Sequence, residues 1–219
     1  DVYKRQLLHS GGNGVIISAP DSNPASDRTL KLPSDADGTI LTSNSSVGKI
    51  LNVAFTNVTT TSSVSVATGS YVDSPATVTI TSTVLNSKFI ISGAIGGEST
   101  YHDHATGFAL RRVIGGTTEL INVGAADGNR TRFTAIMNQG YTAADNSSTP
   151  STVSFAPYVD APNQAAGTAI TYKFAVGNTV YNSATWTFYF GRKVTDTNGF
   201  NFERLPFNIT VMEVAPWAD

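Results

Sequence analysis

Residues Thr106–Met137 read TGFALRRVIGGTTELINVGAADGNRTRFTAIM, and this stretch decides the fold. Phe108, Leu110 and Arg112 alternate with smaller or polar neighbours, the period-two spacing of a strand with one face buried. Gly115-Gly116 makes a tight turn, and Glu119–Val123 reads as the returning strand. Gly124–Asn129 is a loop of Gly, Ala and Asp. Thr131–Met137 alternates again, with Thr131, Phe133 and Ala135 on one side and Arg132, Thr134 and Ile136 on the other. The spacing predicts an antiparallel meander: strand, turn, strand, loop, strand.

The same pattern extends outward in both directions. Upstream, strands are expected at Ile50–Phe55, Ser63–Ala67, Ala76–Thr81 and Lys88–Gly93, followed by a loop over Gly96–Thr106. Downstream, they are expected at Ser151–Tyr158, Ile170–Val176, Thr185–Gly191 and Asn208–Val214. No segment holds apolar residues at i, i+3, i+4 and i+7 over three turns, so no helix is expected. Short strands separated by turns predict an all-β chain whose residues 50–219 form an antiparallel β-sandwich, jelly-roll-like.

Residues 11–49 are poorer in apolar side chains. Val15-Ile16-Ile17, Thr29–Pro33 and Thr39–Thr42 read as three short strands, too few to bury a core by themselves. The expectation is a short β-strand shaft or collar segment that needs the next domain or other chains. Asn44–Gly48 is the expected joint. Residues 1–10 are set aside. Asp1–Gln6, DVYKRQ, matches the translation of a transposon end, so a sequencing scar with a disordered start is expected, on a fragment of a longer reading frame.

Composition narrows the function classes. Only 14% of the 219 residues are charged, against roughly 25% in ordinary domains, and the net charge is −2. Such a surface exerts no long-range pull on nucleic acid or anionic lipid. No cysteine is present, which removes disulfides and thiolate metal sites. No run of about 18 apolar residues occurs, so no helical membrane insertion is expected.

Several pieces, in this order, resemble the distal region of tailed-phage tail fibre proteins of the environmental (metagenomic) type. They are TLKLPSDADGTILT, ILNVAF, SYVDSPATVTIT, LRRVIGGTTELINVG, GAADGNRTRF, VSFAPYVDAPNQAAGTAITYKF, GNTVYN and NITVMEV. Ala125 stands where that pattern carries Asp, and the loops at Tyr101–Thr106 and Val194–Arg204 match no fixed motif. The resemblance implies a non-catalytic virion protein, extracellular, that binds a host surface glycan or outer-membrane protein. It also implies a homotrimer attached to upstream tail fibre segments.

Candidate sites follow from the loops. Asn198, Phe200, Asn201, Phe202 and Arg204 lie in VTDTNGFNFERLP between two strands. Aromatic rings beside Asn and Arg suit carbohydrate, because rings stack on the apolar faces of sugars and polar groups read the hydroxyls. Burial of both rings is the alternative. Tyr101 joins this receptor-binding set, and Tyr141–Asn146 is a further polar loop. His102 and His104 would share a face in a strand, and three copies around an axis would bring six imidazoles to one axial metal ion. An exposed loop is the alternative, and otherwise no cofactor is expected. Asp127, Asn129, Arg130 and Arg132 could hold a polar sugar, although turn chemistry explains them as well.

Catalysis has little support. No Gly-x-Ser-x-Gly elbow is present, and His9, His102 and His104 fall in no triad order. A surface-polysaccharide depolymerase would need two carboxylates across one groove, drawn from Asp103, Asp127, Asp145 or Asp160. A purely structural collar or decoration protein is the other alternative. It would show no loop-dependent binding.

Overall fold

The computed structural model describes residues 4–8, 14–18, 49–100, 106–137, 150–179 and 185–216. The chain divides into two units, Asp1–Asn44 and Ser45–Asp219. In the first, β1 (Lys4–Leu8) pairs antiparallel with β2 (Gly14–Ser18), Gln6 opposite Ile16. Residues 4–8, expected within a disordered start, instead form a strand. Pairing gives the backbone groups of the apolar Val15-Ile16-Ile17 segment their partners. The expected strands at Thr29–Pro33 and Thr39–Thr42 lie outside the described residues.

The second unit is a sandwich of two antiparallel sheets, and no helix occurs among the described residues. Its strands are β3 (Ile50–Val58), β4 (Ser62–Val66), β5 (Tyr71–Thr81), β6 (Lys88–Ser99), β7 (Thr106–Ile114), β8 (Thr117–Ile121), β9 (Ala135–Ile136), β10 (Ser151–Asp160), β11 (Ala169–Asn178), β12 (Trp186–Phe190) and β13 (Phe207–Val214). The expected all-β, jelly-roll-like sandwich is the observed architecture.

The first sheet is built on β6. One of its edges carries β10, and the other carries β13 along Lys88–Ala94 and then β12 along Gly97–Ser99. Outside these lie β3, paired with β13, and β4, paired with β12. β6 therefore runs on through Gly96-Gly97, where a loop was expected. A Cβ at Gly97 would run into the Tyr189 carbonyl and the Phe188 ring, so a residue without a side chain is what lets β12 dock there.

The second sheet runs β5–β11–β7, and the free edge of β7 takes both β8 and β9. This corrects the meander. β8 returns from Gly115-Gly116 along Leu110–Ile114, and β9 pairs with Gly107-Phe108 of the same strand instead of with β8. Between them the chain leaves the edge, and Gly124 N–H donates to Phe133 O (3.3 Å) across the neck of the excursion. Of the strand expected over Thr131–Met137 only Ala135-Ile136 is formed.

The excursion folds over the outer face of the second sheet. Gly177 lies opposite Gly107 in register, and the Phe133 ring sits where their side chains would be. Tyr71 packs edge-on against that ring, centroids 5.8 Å apart. Its hydroxyl donates to Arg132 O (2.5 Å) and accepts from Arg132 N–H (3.2 Å). Thr134 Oγ1 accepts Leu110 N–H (2.9 Å), replacing a ladder carbonyl.

Between the sheets lies one core. Phe89, Ile91 and Ile95 of β6, Phe188 and Phe190 of β12 and Ile209 and Val211 of β13 face Val78 and Ile80 of β5, Phe108 and Leu110 of β7, and Tyr172, Phe174 and Val176 of β11. Phe155 of β10 stacks on Phe174 of the opposite sheet at 3.8 Å, and Phe108 meets Phe188 edge-on at 5.5 Å. Each such ring contributes about 1.5–3 kcal/mol on burial.

Candidate receptor-binding loop

The connection from β12 to β13, residues 191–206, starts from a clipped neck. Gly191 N–H donates to Gly96 O (2.8 Å), and Leu205 N–H donates back to Gly191 O (2.9 Å). Arg192 and Arg204 form an isolated antiparallel bridge just inside it. Gly191 sits at φ 69°, and a Cβ there would lie 2.8 Å from Leu205 O, so the clip requires glycine.

Charged side chains then hold the base. Glu98, buried on β6, accepts Val194 N–H at 2.6 Å. The Arg192 guanidinium donates to Lys193 O and Val194 O (both 2.9 Å) and lies 4.1 Å over the Tyr189 ring. Lys193 is only 2% exposed. Its ammonium donates to Asn201 O, lies 3.6 Å from the Glu203 carboxylate and stands 4.8 Å from the Phe202 ring. A buried ammonium is tolerable only when paired in this way, so Lys193 ties the far side of the loop to its base.

The tip is a turn in which Phe202 N–H donates to Gly199 O (3.2 Å), leaving Phe200 and Asn201 at its centre. The Phe200 ring is fully exposed. In the same loop a hollow of about 320 Å³ is lined by Asp196, Thr197, Asn198, Gly199, Phe202 and Arg204. Arg204 donates to Asp196 Oδ1 (2.6 Å) and reaches Thr61 Oγ1 at 3.4 Å. The arrangement places a guanidinium, a carboxylate and an amide next to an aromatic ring.

Asn198, Phe202 and Arg204 thus meet around the hollow. Phe200 and Asn201 stand at the tip above the base. The two Phe rings part: Phe202 is half-buried under Lys193, and Phe200 projects. Sequence reasoning missed Lys193, Glu98 and Asp196. A buried lysine three residues past a strand end carries no periodic signal, and Glu98 lies on a different strand. Tyr101, His102 and His104, with the axial metal built on them, lie outside the described residues, as does Tyr141–Asn146.

The other polar cluster sits on the excursion of the second sheet. Asp127 pairs with Arg130, whose N–H also donates to Asp127 O (3.2 Å), and Arg132 Nε donates to Gly124 O (2.6 Å). These are the bonds of a turn. Arg130, Arg132, Asn129 and Tyr71 line a shallow hollow of about 280 Å³ there. Among the aspartates weighed for glycan cleavage, Asp160 is buried and held by Arg112 (2.7 and 3.0 Å) and by the Tyr172 hydroxyl (2.8 Å). Asp103 and Asp145 lie outside the described residues.

No family model matches the chain, and no curated protein matches it. Solved structures similar to it include two of infectious bursal disease virus. The Gx strain structure is 12% identical with a TM-score of 0.36 and the Gt strain structure 15% with 0.32, over 92% and 94% of this chain and 43% and 46% of theirs. The VP2 subviral particle of the same virus is 14% identical over 94% of this chain and 48% of that one, with a TM-score of 0.37. The chain spans less than half the length of these neighbours. At such scores the likeness carries no argument about function.

Proposed function

We propose that the chain is the distal, host-binding part of a virion fibre, and that the loop 191–206 is its receptor site. On this reading it is an extracellular structural protein, assembled as a homotrimer behind upstream fibre segments, that holds a host surface glycan or outer-membrane protein without chemistry. The observation that carries the reading is Phe200. A protein leaves a large apolar ring wholly in water at a cost of about 1.5–3 kcal/mol relative to burying it. Here that ring is held on a turn whose base is fastened by buried Lys193 and Glu98. The fastened turn presents the ring to a sugar face, and Asp196, Asn198 and Arg204 line a hollow in the same loop whose polar groups suit hydroxyls. Three tips on one fibre would raise effective concentration, so a weak single site suffices.

The test is binding of the chain to a glycan array and to host cells, with Phe200→Ala and Arg204→Ala. An aromatic contact worth about 0.5–1.5 kcal/mol predicts a loss of roughly two- to tenfold for Phe200→Ala. A charge-assisted hydrogen bond predicts a loss of tenfold or more for Arg204→Ala. Both variants keep the core, so their melting should stay near wild type. Binding unchanged in both variants would leave the structural collar as the better reading. Release of reducing sugar ends from a bound polysaccharide would overturn the non-catalytic half.

A further inference from the structure

The outer faces of the two sheets are built differently. On the second sheet, Asp73 pairs with Arg111 and Lys173, both at 2.5 Å, and the excursion 124–133 covers the glycine positions. The first sheet carries an apolar row in register across four adjacent strands: Val53 of β3, Met212 of β13, Ile90 of β6 and Val159 of β10. Val53 is 50% exposed and Val159 44%, while Met212 and Ile90 are half-buried. Phe55, 71% exposed, stands in the next row beside Thr210 and Ser92.

Around the row the outward positions are Asn57, Asn208, Ala94, Thr152 and Ser154, and the charged groups on these strands that point outward are Lys88, itself 8% exposed, and Glu98, buried under the base of loop 191–206. β3 also forms one end of its sheet, pairing with β13 alone among the described residues. Its nine residues, ILNVAFTNV, contain no charge and no proline, the usual devices that keep an edge from pairing with another chain.

We infer that this face of the first sheet is a contact between copies of the chain. The partner's surface must be uncharged and must offer apolar side chains at strand spacing. A second copy presents those, and two neutral faces meet without like-charge repulsion. The size fits as well. Four strands at about 4.8 Å, along the eight residues of β13, span roughly 19 by 27 Å, or about 510 Å². Two such faces together bury about 1,000 Å², the total at which a specific interface begins. The inference rests on the assembly proposed above and not on glycan binding, so the two can fail separately.

The experiment is the solution mass of the full chain by light scattering after size exclusion, for wild type, Phe55→Glu and Val159→Lys, with Ile136→Glu as control. Ile136 is 65% exposed on β9 of the other sheet. All three substituted positions face solvent, so circular dichroism should match throughout. Wild type and control are expected to run as oligomers, and the two face variants at the 23.0 kDa of one chain. A monomeric wild type overturns the assembly and the face together. An oligomeric wild type whose mass neither face variant lowers overturns the face alone. Should one variant unfold, the other decides. Slow hydrogen exchange at β3 amides in wild type that turns fast in the face variant is the second supporting readout, and fast exchange in both counts against the face.

Discussion

Tyr172 closes the second sheet against a buried ion pair. Its hydroxyl donates to Asp160 Oδ2, and Arg112 bridges from Asp160 out to Glu119. Burial, followed by the negative charge and hydrogen bond of Asp160, pushes the Tyr172 hydroxyl far above its ordinary 10.0. Tyr158 is raised in the same direction, again by burial first and Asp160 second. Arg112 loses by burial but gains more from its bonds to Glu119 and Asp160, so its ionised form is strengthened. For a tyrosine whose folded value is raised, the sign is fixed. Below about pH 10 both states keep the proton and the contribution is complete; above it the unfolded chain ionises first and stability falls. Urea midpoints should therefore drop above pH 10, and Tyr172→Phe should flatten that drop. At pH 7 the variant should cost about 1.5–3 kcal/mol for the lost bond to a charged acceptor. Parallel alkaline limbs for the two proteins would refute this. None of the cluster was legible beforehand: Arg112 and Tyr172 read as alternating strand positions, and Asp160 as one carboxylate among four. Register across β7 and β11 sets Arg112 beside Tyr172, and the packing of the first sheet on the second brings Asp160 of β10 to both; period-two spacing contains neither.

At the scale of elements, the strands that sequence spacing located best are those with one face in the core: β4, β11, β12 and β13 fall within a residue or two of expectation. The departures share a cause. Alternation over Thr131–Met137 looks like a strand, but Phe133 is drawn out of the ladder to fill the gap left by Gly107 and Gly177. A glycine pair facing an aromatic ring from a distant loop is a tertiary match that local pattern cannot announce. It makes a sharp test. Gly107→Ala should lower stability by about 1–3 kcal/mol through overpacking, seen as a lower urea midpoint at unchanged slope. Phe133→Leu should itself destabilise, yet combined with Gly107→Ala it should cost less than the two single losses added. Strict additivity would mean that the ring and the glycine do not meet. The receptor loop was legible only by composition. Aromatic, Asn and Arg residues marked VTDTNGFNFERLP, whereas its fastening by Lys193 and Glu98 depends on where β6 ends.

At the scale of the molecule, the aromatic core lies wholly within residues 45–219, as do both sheets and the receptor loop. Every strand of the sandwich finds its hydrogen-bonding neighbour inside that unit. Its folding free energy should accordingly be its own. Residues 45–219 expressed alone are expected to melt in one transition, within about 2 °C of the sandwich transition in the full chain. In a domain of this size about 1 kcal/mol moves the midpoint by roughly 2–4 °C. A fall beyond about 4 °C would therefore mean that more than about 1 kcal/mol reaches the sandwich from residues 1–44. The comparison has to be made at matched chain concentration, because association through the first sheet's outer face would raise both midpoints by mass action. With Phe55→Glu in both proteins that contribution is removed, and the difference between the two midpoints then reports the coupling between the units alone.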